Sequence, residues 1–155
     1  MALIKLNNQS LTAVTSAGIP IRSGSVLQVV QGSTQTGTTT TSTPYVSTSL
    51  SATITPQSTS SKILCIASGR INNTAAGGTD LTIFRDSTNI CPTANERLVN
   101  NYFDRNGNNN NQAGFTVLDS PSTTSAVTYE VRIRGQGATA TFDQTQIIIL
   151  MEIAG

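Results

Sequence analysis

Apolar side chains return at every second position over much of this chain, the interval that brings side chains to one face of a strand. Val46, Thr48, Leu50, Ala52 and Ile54 alternate with Ser47, Ser49, Ser51 and Thr53. The spacing predicts a strand with one buried face and one small, hydroxylated face. Val127, Tyr129, Val131 and Ile133 alternate in the same way with Thr128, Glu130, Arg132 and Arg134. Ile63 to Ile71 is predicted to place Ile63, Cys65 and Ala67 on one face and Leu64 and Ile66 on the other. Shorter apolar stretches predict strands at Ser25–Val30, Leu81–Phe84, Leu98–Phe103, Phe115–Leu118 and Thr139–Phe142. Between them, Pro56 to Ser61, Asn72 to Gly78, Asp86 to Asn89, Asp104 to Asn111, Asp119 to Ser125 and Gly135 to Gly137 carry turn and loop residues.

The C-terminal run Ile147–Met151 breaks the alternation, because five consecutive apolar residues offer side chains to both faces of a strand. It is too short to cross a membrane as a helix. After Ile153 only Ala154 and Gly155 follow, so the second face is expected to be covered by an earlier part of the chain or by another copy. The second case makes Ile147, Ile149, Met151 and Ile153 the contact residues of an oligomer built around this strand.

No helical period emerges anywhere, and about eight or nine strands with closely spaced turns predict an all-β domain. The natural architecture for that strand number is a two-sheet antiparallel jelly-roll sandwich over residues 25–155. Residues 1–24 carry Leu3, Leu6, Leu11 and Val14 with little pattern. They read either as an extended N-terminal arm that docks on something else or as a frayed terminus. Gly32 to Thr43 is a polar, low-complexity connection that either runs along a sheet edge or forms an exposed loop.

Composition narrows the chemistry. Charged residues make up 11% of the 155 residues and the net charge is +1, so nucleic acid, which needs clustered cations, is not an expected partner. Arg132 and Arg134 share a strand face and read as a solvated or interface pair. No histidine is present, which removes the commonest general base and metal ligand. The acids are scattered, no serine has a recognisable activating partner, and neither Gly77-Gly78 nor Gly135–Gly137 lies in a strand-to-helix setting that cradles phosphate. The expectation is a protein with no catalytic residues, no metal and no cofactor. The N-terminus lacks the pattern of a secretory signal, which gives the expectation of synthesis in a cytoplasm. Cys65 reads as a buried strand residue, and Cys65 and Cys91 are expected as free thiols.

Asp104, Asn106, Asn108 and Asn110 recur at alternate positions, as calcium ligands do in an EF-hand loop. The glycine is misplaced, however, and Phe115 stands where an acidic ligand is required. An Asn/Gly loop using left-handed backbone conformations accounts for the pattern. The acceptor patterns beginning at Asn8 and Asn72 are expected by chance in so Asn- and Ser/Thr-rich a chain.

The segments Leu50–Leu64, Leu81–Asn89, Leu118–Tyr129 and Ile149–Ile153, with Leu6–Leu11 and Gly24–Val30, together resemble small virion proteins and fibre-tip domains of tailed bacteriophages, particularly phages of marine and freshwater bacteria. The resemblance runs over most of the chain and rests on the set of segments. It implies a virion structural protein, with a homotrimeric jelly roll similar to tumour-necrosis-factor-like and C1q-like domains, and it brings no catalytic residues. One reading is a capsid decoration (cement) protein on the capsid surface, with itself and the major capsid protein or another virion protein as partners, docked through Leu3, Leu6, Leu11 and Val14. The shortness of the segment before the first strand favours this reading. The alternative is a short tail-fibre tip that recognises a host surface glycan through Tyr102, Phe103, Asp104, Asn106 and Asn108. No membrane partner is expected in either case.

Overall fold

The computed structural model describes residues 21–104, 107 and 109–155. Its strands, in chain order, are β1 (Val26–Thr34), β2 (Thr38–Thr40), β3 (Val46–Ile54), β4 (Lys62–Asn73), β5 (Gly77–Arg85), β6 (Thr88–Asn89), β7 (Val99–Phe103), β8 (Asn109–Asp119), β9 (Val127–Gln136) and β10 (Ala140–Ile153). They form two antiparallel sheets. One has the order β1-β10-β4-β8, with β2 also on β10, and the other has β3-β9-β5, with β6 and β7 both on the far side of β5. Without the short β2 and β6, the sheets take strands 1-8-3-6 and 2-7-4-5 of the remaining eight. That order is the jelly-roll winding: the chain passes from one sheet to the other at every connection among these eight except β5 to β7, which are neighbours in the second sheet.

Alternation decides which side chains enter the core. β3 sends Thr48, Leu50, Ala52 and Ile54 inward and leaves the intervening Ser and Thr exposed. β4 and β10 answer with Ile63, Cys65, Ala67, Ile71, Phe142, Ile148 and Leu150, and β9 with Val127, Tyr129, Val131 and Ile133. Phe142 lies directly on Gly69, where an added Cβ would stand 2.4 Å from the ring. Any larger residue at 69 would displace that ring from the core.

The chain departs from the expected elements in places with identifiable causes. The Thr139–Phe142 stretch and the C-terminal run belong to a single strand, β10. A bulge between Asp143 and Ile147, with Gln144 at φ 60°, absorbs the polar interruption. β8 begins at Asn109, inside the segment expected as loop, and pairs Asn109–Asn111 with Asn73–Ile71. Gly77 and Gly78 open β5, and Gly135 lies within β9, so only Gly137 of these four is a turn residue. Of the two readings of Gly32 to Thr43, the sheet-edge one holds: β1 runs to Thr34 and β2 pairs with the start of β10. A second bulge between Ser47 and Ser51, with Ser49 at φ 62°, kinks the edge strand β3 and so blunts it against pairing with another chain.

The two ends of the described chain meet. Gly24 N donates to Ala154 O and Ala154 N to Ser25 O, both at 2.8 Å. Beside this junction Glu152 is fully buried. Its carboxylate accepts from Gln28 Nε2 at 2.6 Å and from the Gln57 amide at 2.7 Å, tying β1, β10 and the β3–β4 turn together. Burial pushes this carboxyl up, but the hydrogen bonds it accepts, those from Gln28 and the Gln57 amide among them, hold it below the ordinary glutamate value. A carboxyl with a depressed folded-state pKa adds stability that is present above its unfolded value. That stability is lost as pH falls through the folded one. Melting temperature against pH should therefore show an acid limb that is shallower in Glu152→Gln, with a lower plateau at neutral pH. Parallel acid limbs in the two proteins would remove Glu152 from this role.

Candidate functional site

The outer face of the first sheet is apolar where a solvated face would be polar. Register places Val29, Met151, Leu64 and Leu118 side by side across β1, β10, β4 and β8. The next row is Gln31, Ile149, Ile66 and Thr116, and the one after it Ser33, Ile147, Ser68 and Gly114. Inward neighbours such as Cys65 and Leu150 are completely buried, whereas Val29 is 57% and Leu118 51% exposed. Ile147, Ile149, Met151 and Ile153 all project on this outer side and are half-buried. Single exposed apolar residues are common on proteins, but here one row is apolar on all four strands and the next keeps apolar side chains on the two central ones.

Along the strand direction the face changes character. Lys62 flanks Ile153 at the end near the chain junction. At the other end Arg70 clasps Asp143 through Nε and Nη2 at 2.7 and 2.6 Å. Beyond it, Thr39 and Thr141 hydroxyls lie 3.0 Å apart and Asn72 donates to Asn110. An apolar centre bounded by charged and amide groups is the usual anatomy of a protein–protein interface.

The second sheet presents a different outer face. Asp80, on β5, is fully buried although it points away from the core. Its carboxylate accepts Arg134 Nε at 2.9 Å, Asn100 Nδ2 at 2.7 Å and Gln136 Nε2, with Arg97 Nη1 further off at 3.5 Å. Arg134 also covers the Tyr45 ring at 4.6 Å, and Arg132 covers Phe84 at 4.1 Å. These two rings meet edge to face at 5.9 Å. Tyr45 donates its hydroxyl to Glu96 O at 2.8 Å, and burial pushes its pKa up to about 12. The Arg132/Arg134 pair read from the sequence thus shares one face, and its charges are spent on Glu130 and Asp80.

The sequence-derived candidates fall as follows. Tyr102 and Phe103 are strand residues of β7, with Tyr102 62% exposed and Phe103 half-buried, and Asp104 follows them at the surface. Asn106 and Asn108 lie outside the described residues, as do Leu3, Leu6, Leu11 and Val14 of the arm. Cys65 and Cys91 are both free, and Cys65 is buried. Among the described residues, no group of three His, Cys, Asp or Glu side chains comes together as a metal site. No described helix is long and apolar enough to cross a membrane. A cleft of about 290 Å³ near the chain junction, lined by Ile21, Leu27, Gln57, Ser58 and Ala154 among others, offers hydroxyls and one side-chain amide. The Asp80 cluster was not foreseen, because its members are scattered from Tyr45 to Gln136 and only the winding of the strands gathers them. No protein-family model matches the chain, and no curated protein matches it.

Proposed function

We propose that this chain is a virion structural protein of a tailed phage, a homotrimer that decorates the capsid and stabilises it by bridging capsomer junctions. The observation that carries the self-association is the apolar outer face of the first sheet, centred on Met151 and Ile149. The virion setting comes from the segments that resemble phage proteins. The jelly-roll winding of two antiparallel sheets agrees with that resemblance. In this reading Ile147, Ile149, Met151 and Ile153 lie against the neighbouring copies. The segment before residue 24 leaves from the end where β1 and β10 are tied, and Leu3, Leu6, Leu11 and Val14 dock on the shell.

A decoration protein binds the assembled lattice and not its free subunits, so it raises shell stability by mass action. Purified particles lacking this protein should therefore rupture at lower temperature, and adding it back should restore them in proportion to occupancy. Unchanged rupture temperature, with labelled antibody found only at tail tips, would replace this reading with that of a receptor-binding knob. One observation favours that second reading: Tyr102 stands 62% exposed on β7, where a glycan-binding tip would need an accessible ring.

A further inference from the structure

The polar cluster on the second sheet has more order than a solvated face requires. Across the sheet, Gln136 of β9 and Tyr102 of β7 flank Gly78 of β5. A Cβ added at Gly78 would stand 3.2 Å from Tyr102 Cδ2 and 3.3 Å from Gln136 Oε1. The ring and the amide therefore converge over a floor that glycine keeps low. One step along the strands, the next row is Arg134, Asp80 and Asn100.

Asp80 sets the orientation of everything around it. An ionised carboxylate only accepts hydrogen bonds, so the amides of Gln136 and Asn100 must turn their N–H groups towards it. Their carbonyl oxygens are then turned away from it, as fixed acceptors. Arg134 gives Nε to the same carboxylate, reaches Asn95 O with Nη2 at 3.4 Å and is held flat by the Tyr45 ring, so its remaining N–H donors are also fixed in direction. The result is a rigid set of acceptors and donors beside one exposed aromatic ring. Preorganised polar groups of this kind bind small polar partners without the cost of ordering flexible side chains.

We propose that this face is a saccharide-binding platform, with one sugar ring stacked on Tyr102 and its hydroxyls held by Gln136, Asn100 and Arg134. The C–H face of a sugar is apolar and slightly positive and so suits the negative face of an aromatic ring. Its hydroxyls both donate and accept, which matches a mixed border of amide oxygens and guanidinium N–H groups. A protein partner fits less well, since protein interfaces centre on clustered apolar anchors. Such a cluster is found on the first sheet and not around Tyr102. Nucleic acid fits less well again, because the positive charges of Arg97, Arg132 and Arg134 are already largely balanced by Asp80 and Glu130, which leaves little net charge for phosphates. The platform rests on the glycan-binding reading of Tyr102 given above and adds Gln136, Asn100 and Arg134 to it; failure of the shell-stability test would leave it standing.

The test uses the full chain on a printed array of bacterial capsular polysaccharides and lipopolysaccharide O-antigens, followed by calorimetric titration of any glycan that binds. Tyr102→Ala should weaken that binding about tenfold or more, while Tyr102→Trp, which keeps a stacking ring, should retain it. Gln136→Ala should weaken it independently, which keeps the inference testable if either Tyr102 variant folds poorly. Melting and particle mass, read on the same samples, report folding and self-association separately from sugar binding. An array with no binder would overturn the proposal. So would a glycan whose affinity is unmoved by Tyr102→Ala and Gln136→Ala, or loss of binding to purified shells, and not to sugars, in these variants.

Discussion

Met151→Glu and Ile149→Glu are each expected to leave a folded protomer that no longer assembles. Met151 lies between Val29 and Leu64 on the outer side of the first sheet, and Ile149 lies between Gln31 and Ile66. In an isolated protomer either carboxylate projects into water, and surface changes of this kind usually alter stability by only about 0.5 kcal/mol. In an assembly that covers the face, the same carboxylate must lose its hydration with no cation opposite it, at a cost of several kcal/mol. Since about 1.4 kcal/mol is tenfold in affinity, dissociation constants should rise by roughly two orders of magnitude or more. Light scattering should report a trimer for the parent chain and a single-chain mass for each variant, with unchanged circular dichroism. Thr88→Glu, exposed on β6 of the other sheet, should leave the trimer intact. A monodisperse monomer for the parent chain at micromolar concentration would sink the assembly outright. Variants that still form trimers would move the contact to another face.

That first face was largely legible in the sequence. The run Ile147–Met151 fills both sides of a strand, and burial divides it as the pattern demands, with Ile148 and Leu150 in the core and Ile147, Ile149 and Met151 outside. β3, β4 and β9 were legible for the same reason, since hydrophobic period and strand period coincide. What the pattern could not give was the partners on either side. Val29, Leu64 and Leu118 become a continuation of the C-terminal strand only through register, and register between distant strands leaves no trace in spacing.

Local preference misled where lateral bonding outweighed it. Asn favours turns because its side chain can bond to the nearby backbone, so Asn109 to Asn111 read as loop. In the structure Asn72 donates to Asn110 and Asn111 donates to Asn101. These side chains thus bond across strands, and β8 begins at Asn109. Thr139–Phe142 and the C-terminal run read as two strands, yet a bulge between Asp143 and Ile147 carries one strand, β10, through both. The Asp80 cluster was the least legible feature. A lone acid between Thr79 and Leu81 looks like any solvated strand residue until the chain between β6 and β7 lies across it.

Asp80→Ala is expected to be among the most destabilising single changes outside the apolar core. It removes a carboxylate with no solvent exposure and strips Arg134, Arg97, Asn100 and Gln136 of a common acceptor. Breaking a buried ion pair from one side typically costs about 3–5 kcal/mol. Here the two arginine side chains keep 23% and 29% exposure and can recover some hydration, which places the expected loss near the lower end. Denaturant midpoints should be compared at one protein concentration, because self-association adds to apparent stability. A double-mutant cycle should then give a larger coupling for Asp80 with Arg134, at 2.9 Å, than with Arg97, at 3.5 Å. Asp80→Asn should not rescue the fold. Its amide keeps the shape and one acceptor oxygen, but its nitrogen end meets donors with N–H groups and the two guanidinium groups lose their counter-charge. A loss well under about 1 kcal/mol for Asp80→Ala, a typical surface value, would mean that the cluster does not hold the second sheet's outer face in place. The platform around Tyr102 would then have no rigid base.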